Sequence, residues 1–369
     1  MDIVINGRFL TQQLTGVQRY AIELVKSLDK KFIDLTVEAQ LVVPEGYDVK
    51  ELPFALETIK LVHYGKRRGH SWEQVDLAFF SRKKFLVNLC NTGPIFKMNQ
   101  SITLHDAAVF SAPEGFNWKF KLWYKLLFHS FSLFASRIVT VSNFSKSELI
   151  HHCILNEKKV EVIYSGINHI NEVSEDKKFN VHSYGDYVLV VSSMNPNKNY
   201  SRIVEAAALL NPNLNILITG GANPKVFNPS ILSNQNNIHY LGYVTDEQLK
   251  TLYSHAYCFL FPSLYEGFGL PPLEAMACGC PVIVSRIPCL QEICGDAAIY
   301  CDPMSVDDIA EVINQLYEDK NRKAAFVQRS LNHSSKFKWD YTSEKFMNTI
   351  IMNKINDKVM YEGRYSDCE

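Results

Sequence analysis

The chain has no apolar stretch of about 18 residues, so none of it is expected to span a bilayer. It also lacks a dominant charge. Its 38 basic and 39 acidic side chains leave a formal −1, which excludes a general attraction to nucleic acid and makes any polyanion-binding surface a local affair. No CxxC pair occurs among the nine cysteines, and their number is odd. Cys278, Cys280, Cys289, Cys294 and Cys301 crowd one segment, but this spacing is not that of a zinc site or a disulfide framework. They read as reduced and buried in a cytoplasmic protein, with Cys278 and Cys280 where a helix end and a strand need small residues. After Asp2 a strand begins at once, without the basic region, apolar segment and cleavage site of a secretory signal. The two halves show no sequence repeat.

What is present fits a soluble globular protein of two domains, because 369 residues exceed what one hydrophobic core usually serves. The stretch FPSLYEGFGLPPLEAMACGCPVIVS, residues 261–285, carries most of the information. Tyr257 to Phe261 is a short apolar run suited to a buried strand, and Gly267 and Gly269 let the following loop turn tightly and approach a ligand. Pro271 and Pro272 suit the first turn of a helix whose orphan N–H groups point back at that loop, a natural place for phosphate. Glu266 and Glu274 frame the loop with seven residues between them. Either glutamate alone would more readily end a strand or complement a helix dipole.

From the N-terminus, IVI, NGRFLTQQLTG and VQRYAIELVKSL read as strand, loop and helix, with Gly16 where the loop meets the helix. Near-continuous apolar strands at 40–44, 59–64, 84–90 and 101–106 suit a parallel sheet covered on both faces, and ligands gather beyond the C-terminal ends of such strands. His105 and Asp106 stand at that edge, although a lone histidine after a strand is more often structural. The aromatic segment 116–142, with Trp118, Phe120, Trp123, Tyr124, Phe128, Phe131 and Phe134 among Lys119, Lys121, Lys125 and Arg137, reads as an amphipathic helix. Two roles stay open for it: a core helix with a solvated basic face, or a docking surface on an anionic membrane, helped by Lys66, Arg67 and Arg68. The polar, aperiodic run 171–184 reads as a linker, dividing residues 1–170 from residues 185–340, with a final helix and tail at 341–369. The last dozen residues read as frayed.

The run EGFGLPPLEAMACGCPV resembles the sugar-nucleotide motif of the retaining GT-B glycosyltransferases of family 4. Other segments resemble that family too: TGVQRY its N-terminal glycine loop, LHDAAVFSAPEGF its His-Asp segment, Pro196-Asn197-Lys198-Asn199 its diphosphate loop, and KWDYTSEKFMNTI its last helix. Asn197 stands where the family has Arg, and Ser193 where many relatives have Arg or Thr. The resemblance implies an α/β GT-B fold: two Rossmann-like domains facing a cleft, the first binding acceptor and the second the sugar nucleotide, with a C-terminal helix crossing back to the first domain.

For function, the resemblance implies a retaining, metal-independent hexosyltransferase that needs no cofactor, and no DxD-type carboxylate pair is visible. Lys198 and the amides around Gly267, Phe268, Gly269 and Leu270 would hold the diphosphate, as preorganised groups facing developing charge. His105 and Glu266 would orient the sugar, Glu274 the ribose, and backbone near Val244 the base, while Gly16 and Ser193 complete the donor set. Catalysis is expected from His105, Lys198 and Glu266. Family frequency suggests GDP-mannose as donor, and analogy suggests a lipid-linked oligosaccharide of a surface polysaccharide as acceptor. The alternatives are a GT-B sugar-nucleotide epimerase and a catalytically silent glycan-binding partner. The expected location is the cytoplasm, with peripheral attachment to the inner face of the plasma membrane open.

Overall fold

The computed structural model describes residues 2–33, 37–48, 50, 52–191, 195–221 and 236–353. The chain divides into two units. The first comprises Met1–Phe110, Trp118–Gly166 and Trp339–Glu369, and the second Ser111–Asn117 and Ile167–Lys338. The division therefore falls between Gly166 and Ile167 rather than within 171–184. That stretch contributes the end of the short helix His169–Glu172 and the turn Val181–Tyr184 to the second unit.

In the first unit, seven strands form one parallel sheet: β1 (Ile3–Asn6), β2 (Ala39–Val43), β3 (Lys60–His63), β4 (Phe85–Asn88), β5 (Gln100–Thr103), β6 (Arg137–Thr140) and β7 (Val160–Val162). Their order is β3-β2-β1-β4-β5-β6-β7. All four residues of β1, β4 and β5 are buried, as expected of strands covered on both faces. The helix Gly16–Lys31 turns Tyr20, Ala21, Leu24, Val25 and Leu28 inward at helical spacing. The terminal helix Trp339–Phe346 packs against it: the Trp339 ring meets Tyr20 edge-on, and Ser343 shares a 2.8 Å hydrogen bond with Ser27.

The second unit is a six-stranded parallel sheet ordered β10-β9-β8-β11-β12-β13. Its strands are β8 (Asp186–Val191), β9 (Leu214–Thr219), β10 (Ile238–Gly242), β11 (Cys258–Phe261), β12 (Val282–Ser285) and β13 (Ala298–Cys301). Val188, Val190, Ile216, Ile218, Leu260, Ile283 and Ile299 pack with helix residues such as Ile203, Ile309 and Ile313 into one core. Each such side chain contributes roughly 1.5–3 kcal/mol on burial. The eight described cysteines are all free thiols.

Both sheets reverse direction once. In the first unit this happens between β1 and β4, in the second between β8 and β11. In open parallel sheets such a reversal leaves a crevice beyond the strand C-termini.

Candidate active site

Both loops singled out in the second unit leave from its reversal point. After β11 the chain runs through Glu266 to Gly269, which precedes the helix Leu270–Ala277 at φ 103°. At that φ any side chain would be strained, so the backbone here requires glycine. Pro271 and Pro272 have no N–H, so the donor capacity of the helix start rests on Gly269 and Leu270. The helix begins at Leu270, ahead of the prolines, and Glu274 is its fifth residue.

The loop after β8 is built around its asparagines. Asn195 Oδ1 accepts the Asn197 N–H at 3.1 Å and starts the turn Pro196–Lys198. Asn199, at φ 62°, donates from its side-chain amide to the carbonyls of Pro262 (3.0 Å) and Pro303 (2.7 Å). The Leu264 N–H donates to the Asn197 carbonyl at 2.8 Å. These bonds lock the loops after β8 and β11 together. Lys198 is thereby delivered to Glu266, with which it forms a partly buried ion pair, its Nζ 4.8 Å from the centre of the Phe261 ring. Ser193 lies outside the described residues.

Glu274 is buried with its two oxygens engaged. Oε1 lies 3.0 Å from His169 Nε2, and Oε2 accepts the Tyr253 hydroxyl at 3.2 Å. Burial first, and then the charge of Glu274, push the Tyr253 phenol well up, so it stays a donor. These two contacts orient the Glu274 carboxylate. Val244 is half-buried between β10 and the helix Asp246–His255. Beside it the Gly242 carbonyl accepts from Gly220 N (2.9 Å) and Thr219 Oγ1 (2.7 Å), tying β10 to β9.

Gly16 and His105 belong to the first unit. Gly16 is the exposed first residue of its helix, one turn before Tyr20, whose ring meets His105 edge-on at 4.8 Å. The imidazole is buried, with Nε2 2.9 Å from the Leu89 carbonyl. Since a carbonyl only accepts, Nε2 carries the proton and Nδ1 is the acceptor. Burial holds the ring down to about 4, so at neutral pH His105 is an uncharged hydrogen-bond acceptor rather than an acid.

The second unit thus brings together Lys198, Glu266 and the loop Gly267–Leu270, with Glu274 on the same helix. Sequence reading passed over three residues that hold this arrangement. Asn199 was within reach, since it completes the PNKN run. His169 and Tyr253 were not, because His169 is 105 residues from Glu274 and nothing in the local pattern links them.

A family model described as Glycosyl transferases group 1 matches residues 173–333, and one described as Glycosyltransferase Family 4 matches residues 95–170. Over 82% of its length the chain is 30% identical to the O-antigen chain mannosyltransferase RfbU of Salmonella typhimurium, and it covers 87% of that protein. The chain belongs to the group 1 glycosyltransferases. This glycosyltransferase is also 28% identical to the O-antigen chain mannosyltransferase B of Escherichia coli, over 94% of its own length and 99% of the relative's. Its fold matches that of Anabaena HepE, solved with UDP-glucose, at a TM-score of 0.73 and 16% identity over 95% and 99% of the two chains. Both sheets and their reversal points are thus those of a GT-B enzyme.

Proposed function

We propose that this glycosyltransferase moves mannose from GDP-mannose to a growing, lipid-linked surface polysaccharide, retaining anomeric configuration and using no metal. The Lys198–Glu266 pair at the β8/β11 reversal carries this reading. A diphosphate entering there offers Lys198 more negative charge than one carboxylate does. The lysine then turns to the phosphates, and Glu266 is released to accept a sugar hydroxyl. Lys198 and the amides of Gly269 and Leu270 face the charge that develops on the leaving group, which is where preorganised donors accelerate a reaction most. Glu274, steadied by His169 and Tyr253, accepts from the ribose, and neutral His105 accepts from the sugar through Nδ1.

The choice of mannose draws on the names of the relatives, both O-antigen mannosyltransferases. The HepE ligand does not bear on it, since 16% identity speaks for the fold alone. Attachment to anionic membrane through the helix Trp118–Phe134 belongs to the same proposal. Among the described residues no helix is long and apolar enough to cross a membrane.

The test is a panel of labelled sugar nucleotides with and without an oligosaccharide-lipid acceptor, repeated with chelator. Mannosyl transfer from GDP-mannose with an axial product linkage, insensitive to chelator, is the expected result. An epimerised sugar nucleotide without acceptor would make the enzyme an isomerase, and nucleotide binding without turnover a silent partner.

A further inference from the structure

The first unit carries a polar cluster at its own reversal point, beyond the C-terminal ends of β1 and β4, that the donor chemistry does not use. Asn6, the last residue of β1, donates from Nδ2 to Asn88 Oδ1 at the end of β4 (3.0 Å) and to Glu73 Oε1 (3.0 Å). Glu73 lies on a π-helical turn, Trp72–Leu77, with its side chain wholly buried. Such turns are rare and concentrate at functional sites. Glu73 Oε2 accepts Arg8 Nη1 at 2.8 Å and His70 Nδ1 at 3.1 Å, and Oε1 accepts Thr92 Oγ1 at 2.7 Å. Burial alone would raise this carboxyl, but His70, Arg8, Thr92 and Asn6 together hold it below the ordinary range, so the anion persists.

Glu73 thereby orients two side chains that look away from it. With Nδ1–H given to the carboxylate, the His70 ring presents Nε2, an acceptor in the neutral imidazole. Among the described residues, neither that nitrogen nor Nε and Nη2 of Arg8 has a hydrogen-bond partner. Trp123 stands edge-on to His70, ring centres 5.4 Å apart, and its Nε1 is buried without a partner among the described residues. A buried indole N–H usually finds one. Tyr124 is the next ring, 6.2 Å from His70. Within the cluster itself Arg8 cancels the charge of Glu73, and Asp106 adds a negative charge within electrostatic reach of Tyr124, so the buried groups leave no net positive charge of their own for an anion. A neutral polyol suits the inventory: its hydroxyls can donate to His70 and accept from Arg8, and its C–H face can lie on an aromatic ring.

We infer that this cluster binds a neutral sugar ring of the glycan acceptor, with His70 Nε2 and the outer edge of Arg8 reading adjacent hydroxyls and Trp123 lying against the ring. The acceptor role rests on the transferase reading. The sequence has four tryptophans, so NMR of the full chain gives four indole N–H signals, and Trp123→Phe identifies the one that belongs here. α-Linked mannobiose is expected to move that signal. Its affinity should fall about tenfold in His70→Gln and in Trp123→Phe, the scale of one hydrogen bond in a desolvated site. The inference is overturned if inorganic pyrophosphate rather than mannobiose moves the signal, if mannobiose moves none, or if both variants bind mannobiose as the wild type does. Binding of a nucleoside diphosphate in the same samples reports on the transferase reading separately, and it should be unchanged in both variants.

Discussion

Lys198 owes its position to bonds that do not involve its charge. Asn195 starts the turn, Asn199 ties it to Pro262 and Pro303, and the Asn197 carbonyl takes the Leu264 N–H. Lys198→Ala therefore removes a cation without loosening the loop. We expect kcat/KM to fall by about two to three powers of ten, the scale of losing a preorganised oxyanion donor, and the melting temperature to fall as well, because Glu266 loses its partner. Added Mg²⁺ should not restore the rate; restoration would mean that a bound cation serves the diphosphate. His105 makes a second prediction. Its folded-state value of about 4 lies below the ordinary 6.5, so between those values the unfolded chain binds the proton that the native ring refuses. The stability this imidazole contributes is complete above pH 6.5 and is lost as the pH falls toward 4, on the order of 3 kcal/mol in all. His105→Gln should flatten the stability profile in that window, as read by denaturant midpoints at pH 7 and pH 5. Equal slopes in the two proteins would show that His105 does not refuse the proton.

The helix Trp118–Phe134 bears out the core reading on one face, and on the other we propose the membrane role. Leu127, Phe128 and Phe131 are buried, which makes that side a core element. Trp118, Leu122, Leu126 and Leu133 follow a helical repeat along the other side and are exposed, with Lys119 beside them and Lys66, Arg67 and Arg68 exposed in the loop before Gly69. An apolar stripe flanked by cations is the arrangement that lies in the interface of an anionic bilayer. Changing Lys119, Lys121 and Lys125 to Glu should release the protein from phosphatidylserine-containing vesicles in low salt while activity on a soluble acceptor survives. Vesicle binding that withstands the triple change would leave the exposed stripe without a membrane role.

At the scale of the whole chain, the first unit is completed by residues that follow the second in sequence. Phe346 is fully buried in that last segment. Phe346→Ala should cost the first unit about 3–5 kcal/mol, while the second unit keeps its own core and still binds a nucleoside diphosphate. A loss of nucleotide binding at the temperature where the first unit melts would contradict this independence. The sequence by itself determined β1 to β5, the buried run before Glu266 and the glycine- and proline-bearing loop after it, because apolar runs, glycines and prolines act through neighbours along the chain. Gly269 and the PNKN turn are of that kind. Tertiary structure alone decided which carboxylate meets which partner. Glu274 with His169, Glu73 with Arg8 and Asn6, and the assignment of Ser111–Asn117 to the second unit depend on residues far apart in sequence. Burying a charge requires a partner that only the folded chain can bring to it, and such pairing leaves no period for sequence to display.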